Sequence, residues 1–338
     1  MKAWQLTAHG VPENAFKLRD LPDPEPKPGE VLIRSEGFGL NYADVMAVKG
    51  LYPDAPPPPC VLGYEVVGRV ERCGEGVPGG LLGKRVLAMT RFGGYAELAC
   101  ADHRTVVEVS EGTGLGAALA MGTQGLTAWY MAQVAVQLEA GDRVLVHSAA
   151  GGVGQLLTQL AVGRGCEVFA VARGADKIAY LKQLGVRHVV DRSAGDYAAE
   201  VRTAAGPEGL DVSFNPVGGS TFKKDLALLG GGGRLVLFGG AQRSGRVFGS
   251  LRFAWSMGLV VPILLMMRSK SLIGVNMLRI SERRPQVAGR CMQGALDALR
   301  RGALHPRVHP LFPADQLPQA VELLGSGKSI GKVAVRWG

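Results

Sequence analysis

The stretch "VLVHSAAGGVGQL", residues 144–156, indicates the fold class of this chain. An apolar run leads into glycines at 151, 152 and 154, and a helical pattern begins directly after them. Strand, glycine turn and helix in this order match an A-x-G-x-x-G form of the dinucleotide-binding fingerprint. The turn predicts a pyrophosphate site at a helix N-terminus, formed by Ala149, Gly151, Gly152, Val153 and Gly154. A tight turn without any ligand is the alternative.

Strands and helices alternate on both sides of this turn. Apolar strands are predicted within 142–149, 166–172, 188–191, 209–219 and 232–240, with helices at 153–163, 176–184, 196–204 and 220–229. The alternation predicts βαβ units and a doubly wound parallel Rossmann sheet, preceded by an Ala-rich helical stretch over 114–138. His147 lies on a predicted buried strand and is interpreted as a core histidine.

The flanking segments have a different texture. Residues 1–113 form short apolar runs between Gly and Pro punctuation, which predicts a β-rich domain. From about 270 the chain reads as strand, helix, helix and strand, and returns to that first domain. The sequence therefore predicts an α/β fold with domains 1–113, 114–270 and 271–338, the middle one inserted into the β-rich one.

Basic residues follow the second and third predicted strands of the parallel sheet. Arg173 stands where NAD-binding units usually carry an acid for the ribose hydroxyl, Lys177 follows one turn later, and Arg192 ends the next strand. A guanidinium suits a 2′-phosphate, so the sequence predicts NADPH over NADH. Solvated surface charge is the alternative, and Asp176 is interpreted as a helix cap.

The composition limits the class of protein. Lysine and arginine exceed aspartate and glutamate by 38 − 29 = 9, but the basic residues are scattered, which favours a phosphorylated cofactor over nucleic acid. The five cysteines, at 60, 73, 100, 166 and 291, have no zinc-ligand spacing, so no metal is predicted. Their odd number and an N-terminus without a signal-peptide core favour the cytoplasm.

One apolar segment, "FAWSMGLVVPILLMM" at 253–267, is too short for a membrane span. It is predicted to be a buried helix or an apolar wall of a substrate or dimer surface. Peripheral membrane contact is the remaining alternative.

Six motifs together resemble the medium-chain dehydrogenase/reductase superfamily. Within it, the chain is similar to the zinc-free quinone oxidoreductase branch that includes zeta-crystallin, and most of all to the vesicle amine transport protein group. The motifs span nearly the whole chain and are "GLNYADVMAVKGLYP" (39–53), "VLGYEVVGRVERCGEGV" (61–77), "GLTAWYMA" (125–132), "VLVHSAAGGVGQLLTQLA" (144–161), "GLDVSFNPVGG" (209–219) and "GKVAV" (331–335). The resemblance implies a GroES-like β-rich catalytic domain around the Rossmann domain, and a homodimer.

The resemblance also implies residue roles. Asn41 and Tyr64 stand where zinc-dependent members carry Cys and His, and both are poor zinc ligands, so a metal-free reductase is implied. Asn41, Tyr52 and Tyr64 are the catalytic candidates, with Tyr52 facing the substrate carbonyl. The implied cofactor contacts are Asn41, Thr127, Val217, Phe238, Gly239, Asn276 and Lys332.

Each of these residues has a structural alternative. Asn41 is also suited to a turn, Tyr52 to packing on prolines, Tyr64 to a structural hydrogen bond, Thr127 to bonding its own helix backbone, and Lys332 to a solvated edge strand. Two positions depart from the family, Asn215 for an aspartate and Arg192 for a tyrosine.

The sequence thus favours an NADPH-dependent, zinc-independent reductase of quinones or α,β-unsaturated carbonyls. Such acceptors delocalise the negative charge that a hydride brings, so they can be reduced without a Lewis acid. The alternative is an NADPH-binding, membrane-associated interaction protein with little catalytic activity.

Overall fold

A computed structural model describes residues 1–242 and 249–338 of the chain. The strands are β1 (Lys2–Leu6), β2 (Phe16–Asp20), β3 (Glu30–Leu40), β4 (Cys60–Val61), β5 (Glu65–Cys73), β6 (Arg85–Met89), β7 (Leu98–Asp102), β8 (Val106–Glu108), β9 (Arg143–His147), β10 (Glu167–Ala172), β11 (His188–Asp191), β12 (Leu210–Asn215), β13 (Leu229–Leu237), β14 (Ser271–Gly274), β15 (Phe312–Pro313) and β16 (Val333–Arg336). The α-helices are α1 (Pro12–Ala15), α2 (Tyr42–Val48), α3 (Leu115–Ala120), α4 (Leu126–Trp129), α5 (Gly152–Arg164), α6 (Ala175–Gln183), α7 (Tyr197–Ala205), α8 (Ser220–Leu228), α9 (Gly249–Met257), α10 (Pro262–Met267), α11 (Met277–Arg283), α12 (Pro285–Arg300) and α13 (Leu317–Gly325).

The chain divides into two compact units. The first contains residues 1–127 and 277–338, and the second contains residues 128–276. The second unit is thus an insertion in the sequence of the first. The domain limits 1–113, 114–270 and 271–338 stay a prediction.

The second unit is built on a six-stranded parallel sheet in the order β11-β10-β9-β12-β13-β14. Chain order reverses between β9 and β12, which is the switch point at which such sheets bind ligands. The central strands are apolar because helices cover both faces, and Val144, Leu145 and Val146 are fully buried. The predicted α/β class with a doubly wound parallel sheet is confirmed.

The first unit contains a seven-stranded sheet and a smaller three-stranded one. In the large sheet β3 pairs antiparallel with both β5 and β16, so Val333 lies opposite Leu40 and Val66 opposite Phe38. This register brings the residues that flank β3, β5 and β16 to one end of the sheet. The core beside it is apolar and includes Phe16, Phe38, Tyr95 and Val335.

The Ala-rich stretch over 114–138 is less regular than predicted. Helix α3 gives way to π turns at Met121–Gly125 and Tyr130–Ala135, with α4 between them. The break falls at Gly122, whose ψ of −127° is not helical and whose added Cβ would lie 2.8 Å from Cγ of Glu65. Close approach to Glu65 therefore distorts the helix.

The structure of the second unit tests two further interpretations made from the sequence. The interpretation of Asp176 as a helix cap is wrong, because α6 is capped by Gly174 and Asp176 lies in its first turn. His147 is confirmed as a core histidine, since it is 3% exposed and pairs with Asp225.

The prediction of a buried helix over 253–267 is wrong. The segment forms two short helices separated at Gly258, which has φ +74°, and Pro262 starts the second one. Phe253, Met257 and Leu265 are half-buried, but most of its other large apolar side chains are exposed, and Trp255 is 84% and Leu259 91% exposed. Within residues 1–242 and 249–338, no helix has the length and hydropathy to cross a membrane.

Candidate functional site

The glycine turn lies between β9 and α5. Gly151 caps the helix, and among the described residues no side chain bonds to the N–H groups of its first turn. A Cβ on Gly154 would lie 2.2 Å from the Ser148 carbonyl oxygen, so only glycine fits where helix and strand meet. Ala149 is buried, whereas Gly151, Gly152 and Val153 are half-buried. Within the described residues, the first-turn N–H groups therefore have no side-chain partner, an arrangement that suits an anion.

Three predicted cofactor residues, Arg173, Lys177 and Arg192, lie close together beside this turn's neighbouring strands. Arg173 follows β10 and Arg192 follows β11, with the Arg192 N–H donating to the Ala172 carbonyl at 3.0 Å. Burial, together with the charges of Arg173 and Arg192, lowers the pKa of Lys177. Mutual repulsion of this kind is relieved by a bound anion.

The turn after β12 is held by Asn215. Its Oδ1 accepts the N–H groups of Val217 at 2.8 Å and Gly218 at 2.9 Å. The Phe238 N–H donates to the Asn215 carbonyl, so the end of β13 lies beside this turn. Val217, Phe238 and Gly239 are thus together at the carboxyl edge of the sheet, and Asn276 is an exposed residue just beyond the end of β14.

In the first unit, Glu65 is the centre of a buried polar cluster. Asn41 Nδ2 donates to its carboxylate at 2.8 Å, and Lys332 Nζ and the Thr123 hydroxyl also bond to it. Lys332 Nζ reaches the Leu40 carbonyl as well, at 3.2 Å. Lys332 and Glu65 are both fully buried. The alternative interpretation of Lys332 as a solvated lysine on an edge strand is therefore wrong.

Gly39 makes room for this ion pair. A Cβ at that position would lie 2.1 Å from Oε1 of Glu65 and 2.4 Å from Nζ of Lys332. Glycine at position 39 is therefore a requirement of the pair, which a larger residue would displace.

Asn41 also starts α2. Its N–H donates to Asp44 Oδ2 at 2.8 Å, so it is a turn residue as well as a partner of Glu65. Asp44 is fully buried, and burial with a smaller contribution from the Glu65 charge raises its pKa from 3.8 to about 7, against the lowering effect of the Asn41 hydrogen bond. Near neutral pH, Asp44 is therefore protonated in a substantial fraction of the molecules.

Tyr52 and Tyr64 form an aromatic pair in the same unit. Their rings are perpendicular at 6.3 Å, and Tyr64 is 3% exposed. The Tyr64 hydroxyl is buried and forms no hydrogen bond within 3.5 Å to a described residue, and the neighbouring Tyr52 hydroxyl contributes to its pKa. Burial, followed by the Asp44 charge, raises the pKa of Tyr64, and burial raises that of Tyr52.

Thr127 shows the structural alternative considered for it. Its hydroxyl donates to the Thr123 carbonyl at 2.5 Å, one helical turn back.

The predicted site residues fall into two sets. Asn41, Tyr52, Tyr64, Thr127 and Lys332 belong to the first unit, and the others belong to the second.

The comparisons with known proteins follow the same two units. Residues 27–133 match the family described as alcohol dehydrogenase GroES-like domain, and residues 152–293 match the family described as zinc-binding dehydrogenase. The chain is 32% identical to the synaptic vesicle membrane protein VAT-1 homolog of Danio rerio, over 98% of this chain and 69% of that protein.

The chain belongs to the medium-chain dehydrogenase/reductase superfamily. Among solved structures, a quinone oxidoreductase of Pseudomonas syringae pv. tomato superposes with a TM-score of 0.86 at 27% identity, over 99% of each chain. A mycobacterial protein complexed with NADPH superposes with a TM-score of 0.85 at 30% identity, also over 99% of each chain. The GroES-like and Rossmann parts expected of this superfamily are confirmed.

Zinc is named in one of these family descriptions. Asn41 and Tyr64, which the resemblance in the sequence matches to the Cys and His of zinc-dependent members, offer an amide and a phenol, and the Asn41 amide is bonded to Glu65. In the part of the chain that is described, no cluster of three or more His, Cys, Asp or Glu is arranged to hold a metal.

Sequence reasoning missed Glu65, Asp44 and Thr123. A signal for Glu65 was available, because it is an acid directly before the apolar run "VVG" at 66–68. A charge on a strand buried on both faces requires a partner, which here comes from the far end of the chain. Asp44 and Thr123 lie in helical segments without a comparable signal.

Proposed function

We propose that the protein is an NADPH-dependent reductase that transfers hydride to a quinone or an α,β-unsaturated carbonyl without a metal. The observation that carries the proposal is the open helix end at the glycine turn, because free N–H groups and a positive dipole suit a pyrophosphate. Similarity to a quinone oxidoreductase and to a protein complexed with NADPH supports the assignment.

The preference for NADPH rests on Arg173, Lys177 and Arg192. They place three cations near one another where an NAD-binding unit usually holds an acid. A neighbouring acid, Asp191, has its pKa lowered mainly by hydrogen bonds from Ser193, so it is already engaged locally. A 2′-phosphate would bond bidentately to a guanidinium and offset the repulsion.

When bound, NADPH supplies the hydride. The protein must then stabilise the negative charge that appears on the acceptor oxygen. Tyr64 is suited to this because its buried phenol has no described hydrogen-bond acceptor within 3.5 Å and stays protonated at neutral pH, where its pKa is raised by burial. Tyr52 lies beside it as the second donor, and the proton comes from this pair or from water.

Asn41 orients the reacting groups, and Lys332 acts through Glu65. The Lys332 ammonium neutralises Glu65, and Glu65 in turn fixes the Asn41 amide. We therefore assign Lys332 as a positioning residue.

The direct test uses purified protein, NADPH or NADH, and a panel of quinones and enones, and follows loss of nicotinamide absorbance. We expect turnover with NADPH and at least one acceptor, and a preference over NADH. Absence of turnover across the panel would reject the reductase.

A second copy of the chain is the proposed partner for the exposed surface at Trp255, Leu259, Ile263, Met266 and Met267. Large exposed apolar patches mark interaction sites. Strand β14 follows this segment and pairs with β13, so its other edge is open among the described residues. An open edge continuous with an apolar surface favours a homodimer.

Membrane association is the second candidate function, since the same apolar side chains and the net charge of +9 suit an anionic lipid surface. Sedimentation with anionic vesicles separates membrane association from the reductase function, because a reductase without lipid affinity stays in the supernatant.

The five cysteines are free, as in a reducing compartment, and we propose that the protein acts in the cytoplasm.

A further inference from the structure

Asp225, on α8, is a fully buried carboxylate to which the proposed function gives no role. Four side chains donate to it. Tyr197 OH lies at 2.7 Å from Oδ1, and Ser213 Oγ and Asn215 Nδ2 lie at 2.8 and 2.6 Å from Oδ2. His147 Nε2 bonds to both oxygens, at 3.0 and 2.9 Å. A buried carboxylate is tolerated only when donors satisfy it in this way.

Two of these donors end neighbouring strands. His147 is the last residue of β9, directly before the glycine turn, and Asn215 is the last residue of β12. The two strands are paired in parallel at the point where chain order reverses. Asp225 thus contacts both sides of the crevice in which a sheet of this topology binds its ligand.

Asn215 transmits the contact to its own turn. Its Nδ2 donates to Asp225 while its Oδ1 accepts from the Val217 and Gly218 N–H groups. One amide therefore joins the carboxylate to the backbone that follows β12. His147 joins the same carboxylate to the backbone that follows β9.

We propose that Asp225 is a positioning residue that holds the turns after β9 and β12 in one fixed relation and thereby sets the affinity for the dinucleotide. The inference rests on the proposed function for its ligand. Geometry supports it, since a single group accepts hydrogen bonds from both strand ends and no other described acceptor is shared by them.

The test compares Asp225→Asn with Tyr197→Phe. In Asp225→Asn an amide nitrogen takes the place of a carboxylate oxygen that accepts from His147 and Tyr197 or from His147, Ser213 and Asn215, so hydrogen bonds that now hold the strand ends are lost. Tyr197→Phe is the matched control, because it removes one hydrogen bond from the same carboxylate but keeps the ring that packs on His147 and leaves the bonds of His147 and Asn215 to Asp225 in place. A third variant combines Asn215→Asp with Asp225→Asn, so that the new amide donates to the new carboxylate, which still accepts from Val217 and Gly218.

Two readouts are taken on each folded protein. The first is the NADPH dissociation constant, and the second is hydrogen exchange in the free protein over residues 148–154 and 216–219. We expect Asp225→Asn to weaken NADPH about tenfold and to accelerate exchange in both segments, as loss of a charge-assisted hydrogen bond implies. Tyr197→Phe should lower the melting temperature with affinity nearly unchanged, and the double variant should recover most of the affinity.

The outcomes separate the two proposals. If the wild-type protein does not bind NADPH, the proposed function fails, and exchange alone then decides whether Asp225 orders the turns. If Asp225→Asn and Tyr197→Phe lose the same affinity and exchange alike, Asp225 only stabilises the fold and the inference is overturned. If Asp225→Asn alone accelerates both turns, the inference stands.

Discussion

Individual side chains in this protein serve the fold and the site in different proportions. Glu65 is buried with Lys332, and removing either partner would leave an uncompensated charge. The Tyr64 ring is buried and packs on Tyr52 and Phe92, but its hydroxyl forms no hydrogen bond within 3.5 Å to a described residue. Arg173 and Arg192 are exposed. Removing the Tyr64 hydroxyl alone, or changing either arginine, should therefore have little effect on stability.

Arg173→Glu should raise the NADPH dissociation constant about ten- to a hundredfold, the effect of losing one bidentate charged contact of about 1.5–3 kcal/mol. NADH affinity should be nearly unchanged, because the ribose hydroxyl carries no charge. Titration of both nucleotides measures the ratio. Arg187→Glu is the control. This exposed arginine directly precedes β11 and so lies at the amino end of the strands, whereas Arg173 and Arg192 lie at their carboxyl end. Equal losses for both nucleotides would exclude a 2′-phosphate contact.

Tyr64→Phe should lower the turnover rate about a hundredfold and leave the melting temperature unchanged or slightly raised. The phenol is assigned to the acceptor oxygen, and the hydroxyl forms no hydrogen bond within 3.5 Å to a described residue, so its removal costs the fold little. Tyr95→Phe is the matched control, because that hydroxyl is also buried and also lacks a described partner within 3.5 Å, but it lies in the core beside Asp44. An unchanged rate in Tyr64→Phe would remove Tyr64 from the chemistry.

The elements that frame the site are distorted at the places where they approach it. The segment from α3 to α4 passes through a π turn, a feature often found at functional positions. Here the distortion has an identifiable cause, because Gly122 packs on the Glu65 side chain and Thr123 bonds to its carboxylate. Helix α2 begins at Asn41 and buries Asp44 beside the same cluster.

Gly122→Ala should destabilise the protein by about 1–3 kcal/mol, since its Cβ would lie 2.8 Å from Cγ of Glu65 in a packed interior. Gly163→Ala is the contrasting variant. It lies within α5 with nothing within 4 Å of its added Cβ, so it should stabilise by about 0.5–1 kcal/mol. Urea unfolding measures both, and a neutral Gly122→Ala would show that the Glu65 side chain yields at no cost.

The start of α2 should make stability depend on pH. The folded state raises the pKa of Asp44 from 3.8 to about 7, so it binds the proton more tightly than the unfolded state does. Stability from this group is therefore greatest at low pH and is lost as the pH rises from about 4 to about 7. Between pH 5 and pH 8 wild-type protein should lose about 2–3 kcal/mol more than Asp44→Asn. Parallel unfolding curves for the two proteins would contradict this.

At the scale of the whole molecule, the open edge of β14 and the apolar surface from Trp255 to Met267 are the features that a single copy does not account for. Exposed apolar side chains are common singly, but here several lie in one segment. Covering them with a second copy also pairs the open strand.

Leu259→Asp combined with Met266→Asp should shift the protein from dimer to monomer in light scattering at micromolar concentration, because the charges would be buried in the proposed interface. Leu82→Asp, at an exposed leucine of the first unit, is the control and should remain dimeric. A wild-type monomer that sediments with anionic vesicles would favour the membrane candidate instead.

The sequence by itself determined the parallel sheet, the glycine turn and the basic residues after β10 and β11. These features depend on periodicity and on spacing within about thirty residues, which a single chain displays directly. It also indicated, through resemblance, that Asn41 and Tyr64 stand at a site.

Only the tertiary structure decided how those residues are held. Glu65 and Lys332 are separated by 267 positions and His147 and Asp225 by 78, so their pairing arises from strand register and not from local sequence. The exposure of 253–267 was likewise undetermined by sequence, because an apolar run fits a core and an interface equally well.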